Sequence, residues 1–168
     1  IQYMQDPSDH LFYDNITPSM VIGKSKYSYN SGQPMQAACL LYNITGEQQY
    51  LNEAQQIARS AYSKWFTLYD SKELGEKFYR INGDHAWFYS VLFRGFLELY
   101  KIDGRRDYVT AFEKSMLQAW MSECRNQTTN LLSNNYFIGK TNSSWQVLHE
   151  GAFVEMLARL AVLELEGK

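Results

Sequence analysis

LYNITGEQQYLNEA (residues 41–54) is echoed by LYKIDGRRDYVTAF (residues 99–112), at an offset of 58 positions along the chain. Each stretch carries Leu-Tyr, then a glycine and then a second tyrosine at matching positions. A glycine directly after an apolar periodic segment is typical of the end of a helix. The two stretches therefore predict two helix-turn-helix pairs that repeat one structural unit.

Hydrophobic periodicity around these turns predicts five helices. The expected ranges are 33–43, 47–65, 85–100, 106–124 and 146–165. The first and third of these helices are apolar on most sides and the fifth is of the same type, whereas the second and fourth carry one apolar stripe. A buried helix followed by a half-exposed one indicates an inner and an outer layer, so the expected fold class is all-α, an α/α toroid of helix hairpins.

The stretch before the first helix, YSYNSG (residues 27–32), is expected to be a polar, aromatic loop. Asn30 or Ser31 is predicted to cap the helix, with Pro34 in its first turn, where a missing N–H has no consequence. The other connecting segments are predicted as the last turn of a helix at 1–5, a loop at 68–84, and a polar segment at 125–144 with a short hairpin around Leu131-Leu132 and Tyr136-Phe137.

Composition excludes several function classes. The net charge of −2 gives no basic surface for nucleic acid or for anionic lipid, and no apolar run approaches the roughly 18 residues of a membrane span. Cys39 and Cys124 lie far apart, without a CxxC pair or a histidine cluster, so we expect two buried thiols and no metal site or other cofactor.

Aromatic residues make up 15% of the chain, with 13 tyrosines and 4 tryptophans. This content favours a surface that stacks on flat rings, of which carbohydrates are the usual kind, although a more aromatic core explains it equally well.

The chain also has features expected of part of a longer polypeptide. It begins with IQYM (residues 1–4), without an initiator methionine or a signal-peptide pattern. The predicted elements are two complete helix hairpins with an unpaired segment on each side. Because stacked repeats need neighbours on both sides, this arrangement would leave apolar surface of the inner helices exposed. We therefore expect residues 1–168 to form a single, partial domain.

Several short motifs, taken in order, resemble glycoside hydrolase family 76, the endo-α-1,6-mannanases. The motifs are DP (6–7), LFYD (11–14), YNSG (29–32), LYNITG (41–46), LFRGFLELY (92–100) and HEGA (149–152). The resemblance covers nearly the whole chain and implies an (α/α)6 barrel, of which six hairpins would need roughly 350 residues. The chain would then be about the C-terminal half of a secreted, periplasmic or cell-surface enzyme acting on an α-mannan-like polysaccharide or oligosaccharide.

The resemblance also implies where catalysis takes place. The family uses an adjacent Asp-Asp pair as nucleophile and acid/base, on an inner helix before the region matched here. Retaining glycosidases need two carboxyl groups about 5 Å apart, and this sequence has no adjacent aspartates. No catalytic residue is therefore assigned, the pair is expected in a missing N-terminal half, and the chain alone is expected to be inactive.

Tyr29 and Asn30 are the first candidate substrate-binding residues, because the family places its cleft before the inner helices. An amide can donate to and accept from sugar hydroxyls, and tyrosine offers a stacking face with a polar tip. A helix cap and a core tyrosine explain the same residues. Ser31 replaces the glutamine of the family motif, so substrate preference could differ if its side chain faces the cleft.

Trp87, Phe88, Trp145 and Glu150 are the remaining candidates, all near the predicted starts of inner helices. Trp87 and Trp145 suit sugar platforms, with core packing as the competing explanation for Trp87 and Phe88. Glu150 is the one carboxylate near the start of the last helix and could bind a hydroxyl, tune the upstream acid or serve a surface ion pair.

Two other functions stay open on the sequence alone. A sugar epimerase or isomerase on the same barrel would use histidine bases, and His85 and His149 lie at predicted inner-helix starts. A non-catalytic glycan-binding protein would keep the barrel without the acids.

Overall fold

The computed structural model describes residues 3–83, 85–141 and 144–167. Its α-helices are α1 (Ser28–Thr45), α2 (Gln48–Trp65), α3 (Ala86–Asp103), α4 (Asp107–Met121) and α5 (Val147–Leu165). Four short strands accompany them: β1 (Asn15–Ile16), β2 (Ile22–Gly23), β3 (Phe66–Ser71) and β4 (Glu76–Ile81). The described residues are mostly α-helical, which confirms the predicted fold class.

The 58-residue repeat is present in the structure. Helices α1 and α3 each have 18 residues and begin and end at equivalent positions. Gly46 and Gly104 follow them with the same left-handed φ of 72°, and their N–H groups donate to Tyr42 O at 2.8 Å and Tyr100 O at 2.9 Å. Glycine adopts this conformation without the strain that a Cβ causes, which explains why both helices end there.

Helix α1 begins earlier than predicted, at Ser28, so the YNSG motif is helical and Pro34 lies inside the helix. The predicted cap at Asn30 or Ser31 is therefore wrong. Tyr27 is the N-cap, and the Asn30 side chain reaches back so that its Oδ1 accepts from Tyr27 N at 3.2 Å. This cap stabilises the first turn, and Pro34 removes only one N–H donor from the helix.

Helices α1 and α3 pack closely at two glycines. A Cβ on Gly32 would lie 2.6 Å from Leu92 Cα, and one on Gly95 would lie 2.8 Å from Gly32 O. Real Cβ atoms do not approach backbone this closely, so the contact requires glycine at both positions.

Residues 68–84 are not a loop, as the sequence suggested, but mainly an antiparallel hairpin of β3 and β4, with Phe66 opposite Ile81; Asp84 lies outside the described residues. Phe66, Phe78 and Ile81 are buried, whereas Leu68 and Tyr79 are exposed. The buried positions do not alternate along either strand, so the sequence lacks the period of two that predicts a half-buried strand.

Two further segments differ from the prediction: residues 1–5, expected to be the last turn of a helix, and residues 131–137, expected to be a hairpin. Gln5 pairs with Phe12 in an isolated β-bridge, so a helix does not extend through residue 5, and residues 1 and 2 lie outside the described part. Arg125 pairs with Leu132 in the same way, 120 residues later. The hairpin expected near 131–137 is replaced by this bridge and a 3-10 helix at Tyr136–Ile138.

The chain forms two compact units, Ile1–Lys64 with Val91–Arg105, and Trp65–Ser90 with Arg106–Lys168. Each unit has its own apolar core, containing Met35, Cys39 and Phe96 in the first and Phe112, Cys124 and Phe137 in the second. Both cysteines are buried free thiols, as predicted. None of the helices in the described ranges is long and apolar enough to cross a membrane.

Candidate functional site

The six candidate residues lie at or near the starts of three helices. Tyr29 and Asn30 are in the first turn of α1, in the first unit. The other four belong to the second unit: Trp87 and Phe88 in the first turn of α3, Glu150 in the first turn of α5, and Trp145 two residues before α5. The two groups are described separately.

Tyr29 forms a hydrogen-bonded cluster with Asp14, which directly precedes β1. The Tyr29 hydroxyl donates to Asp14 Oδ1 at 2.6 Å, and Asn15 Nδ2 donates to Asp14 Oδ2 at 2.7 Å. The Tyr29 bond is the main cause that lowers the pKa of Asp14, and the same bond raises the pKa of Tyr29. At neutral pH the cluster therefore holds an ionised carboxylate beside a neutral phenol.

Asn30 is largely used by the fold. Its Oδ1 accepts from the N-cap N–H of Tyr27, and its side chain also lowers the pKa of Asp14 as a further hydrogen-bonding partner. The rings of Tyr27 and Tyr29 are nearly parallel, with centroids 6.0 Å apart, and Tyr27 is 39% exposed. Helix α1 thus presents an aromatic pair beside the carboxylate.

A nearby ion-pair cluster is structural. Lys26 Nζ lies 2.6 Å from Asp6 Oδ2 and 2.8 Å from Asp9 Oδ2, and the Lys26 side chain is mostly buried. The Lys26 bond is the main reason why the pKa of Asp6 lies well below its usual range. These bonds tie the turn at 6–9 to the segment that leads into α1.

Ser31 is fully buried and accepts the backbone N–H of Phe12 at 3.1 Å through its Oγ. The position that departs from the family motif therefore supports the turn, and its side chain is not exposed to a ligand. The idea that it tunes sugar preference by direct contact is wrong for this conformation.

Four rings lie close together in the second unit. Trp87 and Phe88, both half-buried, meet edge to face with centroids 4.3 Å apart, and His85 lies 4.9 Å from Phe88. The rings of His85 and His149 are 6.3 Å apart. The structure therefore brings together two predicted residues and both histidines.

His149 is buried, and its Nδ1 lies 3.0 Å from the carbonyl oxygen of Asn134. Because a carbonyl oxygen only accepts, Nδ1 carries a proton, and in the neutral ring Nε2 is the unprotonated nitrogen.

Glu150 is half-buried, and its Oε1 accepts the backbone N–H of Leu132 at 3.0 Å. Burial raises its pKa, and the Leu132 bond opposes that shift. Glu150 and Ser31 are each the fourth residue of their helix and support equivalent turns. Trp145 is 43% exposed.

Sequence reasoning missed Asp14 and Tyr27 as members of the site. The signal available was the LFYD motif, in which Asp14 follows three apolar or aromatic residues. No group of three or more His, Cys, Asp or Glu within the described ranges is arranged to hold a metal ion.

Comparisons with known proteins agree on one family. Residues 1–166 match the family model described as Glycosyl hydrolase family 76. No curated protein matches the chain.

Three solved structures are similar to the chain. A glycoside hydrolase family 76 mannosidase from Bacteroides thetaiotaomicron VPI-5482 is 52% identical with a TM-score of 0.93, over 99% of this chain and 48% of that one. A family 76 glycoside hydrolase from a bovine Bacteroides thetaiotaomicron strain is 41% identical with a TM-score of 0.90, over 97% and 36%.

The third is an α-1,6-mannanase of Salegentibacter sp. HEL1_6, solved as an inactive variant with two consecutive aspartates changed to alanine, in complex with α-1,6-mannotetrose. It is 26% identical with a TM-score of 0.64, over 93% of this chain and 46% of that one. The chain thus spans about half the length of these relatives, or less.

Proposed function

This chain belongs to glycosyl hydrolase family 76, and on that basis we propose that it supplies part of the substrate cleft of an enzyme that hydrolyses α-1,6-mannosidic bonds with retention. In this proposal the chain is the C-terminal half of a secreted, periplasmic or cell-surface enzyme, and its catalytic Asp-Asp pair lies upstream. The inactive Salegentibacter variant supports a paired-aspartate mechanism, because two consecutive aspartates were replaced there. This sequence contains no such pair.

The observation that carries the proposal is the set of aromatic and polar side chains at the starts of α1 and α3. Tyr29 combines a ring with a polar tip, and Trp87 with Phe88 offers half-buried ring faces. Such side chains suit a sugar, which has apolar C–H faces and a rim of hydroxyl groups. In the proposal, Tyr29 and Asn30 of the first unit bind substrate, and so do Trp87, Phe88, Trp145 and Glu150 of the second unit, with Trp87 and Trp145 as platforms.

The first experiment compares two polypeptides on linear α-1,6-mannan. The 168-residue chain alone should release no reducing ends, whereas the native-length polypeptide should hydrolyse the polymer. A mass measurement on the protein purified from its source gives the native length. Hydrolysis by the 168 residues alone overturns the upstream placement of the catalytic pair, and a native-length polypeptide that neither binds nor cleaves mannan overturns the function.

The second experiment tests the platforms. Replacing Trp87 by alanine in the native-length polypeptide should weaken α-1,6-mannotetraose binding several-fold, because the ring face is lost. Tyr3→Ala is the control, since Tyr3 is an aromatic residue that is 71% exposed and is not among the residues assigned to substrate binding. Equal affinities of Trp87→Ala and wild type contradict the platform role.

A sugar epimerase is the second candidate, favoured by the neighbouring rings of His85 and His149. Product analysis by NMR separates the two reactions, because hydrolysis gives shorter manno-oligosaccharides and epimerisation gives a new stereoisomer of unchanged mass. Binding without either product points to the third candidate, a non-catalytic glycan-binding protein.

A further inference from the structure

We propose that Arg80 binds an anionic group, a phosphate or a carboxylate, that is carried by the carbohydrate ligand. Arg80 lies on β4, in the second unit. The anion site is argued from the second unit alone, whereas its place on a carbohydrate rests on the proposed function. Linear α-1,6-mannan is neutral, so the inference adds a charged substituent to the substrate class.

The Arg80 guanidinium is held against an aromatic ring. Its Cζ lies 3.6 Å from the centroid of the Tyr69 ring, and Tyr69 meets the buried ring of Phe78 edge to face at 6.2 Å. In the β3–β4 ladder Tyr69 is opposite Phe78 and Thr67 is opposite Arg80, which makes Arg80 and Tyr69 diagonal neighbours on one face. The core thus fixes the ring, and the ring fixes the plane of the guanidinium.

The positive charge of Arg80 lacks a partner. Arg80 has neither an ion pair nor a hydrogen bond within the described parts of the chain. Its Nε is buried without a hydrogen-bond partner, and the residue as a whole is half-buried. The guanidinium is therefore partly removed from water. A cation in this state attracts an anion more strongly than a fully hydrated cation does, because the surrounding dielectric constant is lower.

The carboxylates on the same hairpin do not serve as this partner. Asp70 Oδ2 lies 3.6 Å from Lys77 Nζ, and Glu76 Oε2 lies 2.6 Å from Lys114 Nζ. Each of these carboxylates already has its own cation. An anion that reaches Arg80 therefore comes from outside the hairpin.

The segment beside Arg80 leaves room for such an anion. A Cβ built on Gly139 would lie 3.8 Å from Arg80 Nη1, so a side chain at position 139 would start within contact distance of the guanidinium, and glycine leaves this space open. Lys140 follows directly, is exposed and adds a second positive charge to this segment. The parallel N–H donors of a guanidinium match two oxygens of a phosphate or a carboxylate.

The test measures how tightly the native-length polypeptide binds charged and neutral sugars, with calorimetry as the readout. The charged probes are mannose 6-phosphate and mannuronic acid, and the neutral probes are mannose and α-1,6-mannotetraose. Wild type should bind at least one charged sugar roughly 10- to 100-fold more tightly than mannose, the usual effect of hydrogen bonds to a charged group. The charged sugar that binds more tightly identifies the anionic group.

Two variants of Arg80 separate charge from geometry. Arg80→Gln should reduce the preference for the charged sugar to within about twofold and leave mannotetraose binding unchanged. Arg80→Lys keeps a point charge without the planar fork and should retain only part of the preference. Added salt covers the case in which a variant folds poorly, because it should weaken binding of the charged sugar to wild type without affecting mannotetraose.

Arg125→Gln is the matched control, because Arg125 is also stacked on a ring in the second unit. Its Cζ lies 4.4 Å from the Trp120 centroid, and its Nε is likewise buried without a hydrogen-bond partner. Its outer nitrogens, however, already donate to Asn130 Oδ1 at 3.3 Å and to Gln127 Oε1 at 3.5 Å. Arg125→Gln should therefore leave the preference for the charged sugar within about twofold of wild type.

The outcomes separate this inference from the proposed function. Wild type that binds both charged sugars no more tightly than mannose, or a preference that survives in Arg80→Gln, overturns the anion site and leaves the proposed function standing. Inorganic phosphate that binds as tightly as the preferred charged sugar overturns the assignment to a carbohydrate. A polypeptide that binds the charged sugar through Arg80 but neither binds nor cleaves neutral mannan overturns the proposed function alone.

Discussion

Replacing Gly32 by alanine should destabilise the first unit by about 2 kcal/mol. The new Cβ would lie 2.6 Å from Leu92 Cα, 2.7 Å from Val91 O and 2.8 Å from Leu92 N. These are backbone atoms, which cannot rotate away as a side chain can, so α1 and α3 must separate. Overpacking of this kind costs up to about 3 kcal/mol, and the better helix propensity of alanine returns about 1 kcal/mol.

The assay is urea unfolding of the 168-residue chain, with the free energy of unfolding taken from the midpoint and slope. Gly151→Ala is the matched control, because Gly151 is the corresponding fifth residue of α5 and nothing outside the adjacent backbone of its own helix lies within 4 Å of its Cβ position. That variant should gain about 1 kcal/mol from helix propensity alone. If both alanines stabilise the chain to the same extent, the close approach of α1 and α3 is refuted.

Three further predictions concern single side chains. Ser31→Ala leaves the buried N–H of Phe12 without its acceptor and should destabilise the chain by about 1–3 kcal/mol in the same urea assay, with an unchanged midpoint contradicting the bond. Lys26 lowers the folded-state pKa of Asp6, so the ionised carboxylate stabilises the fold above the unfolded pKa of 3.8, and this stabilisation is lost as the pH falls. The free energy of unfolding of Asp6→Asn should therefore decrease less than that of wild type between about pH 4 and pH 2. Parallel curves for the two proteins would contradict this. Burial raises the folded-state pKa of Glu150, so the stability of the chain should decrease as the pH rises from 4.5 through the raised value. Glu150→Gln should remove this decrease in a pH series of thermal unfolding. If the decrease persists in the variant, another group causes it.

The helices could be predicted because their sequence signals are local. A left-handed glycine follows both α1 and α3, and the apolar stripe of α2 has a helical period, so α2 was predicted to within one residue of its observed start. The start of α1 could not be read in the same way. Pro34 is a typical first-turn residue, but the helix begins earlier, at Ser28, where the Asn30 side chain accepts from Tyr27 N.

The β3–β4 hairpin could not be predicted because its stability depends on the core beneath it. Only Phe66, Phe78 and Ile81 are buried along the two strands apart from Ser71, and the backbone N–H of Ile81 donates to Ser115 Oγ on α4 at 3.1 Å. A contact between residues 34 positions apart cannot be recognised from the local pattern of apolar and polar residues.

The site shows the same division. The repeat and the family resemblance were enough to predict aromatic residues at the starts of the inner helices. They could not predict the hydrogen bond between Tyr29 and Asp14, because this contact depends on how the β1–β2 ribbon returns the chain to α1. Predictions of ligand contacts therefore need the fold of the loop before the helix as well as the helix itself.

The repeated turns separate structural positions from the positions proposed to bind a ligand. At the fourth residue of α1 and of α5, a side-chain oxygen of Ser31 or Glu150 accepts the N–H of the preceding turn. A hydroxyl and a carboxylate serve equally, because the turn needs only an acceptor. At the second residue no such bond is required, and α1 and α3 carry Tyr29 and Trp87 there. It follows that Glu150→Gln should preserve the fold, and a change in mannoside affinity in that variant would mean that Glu150 has a second role in the cleft.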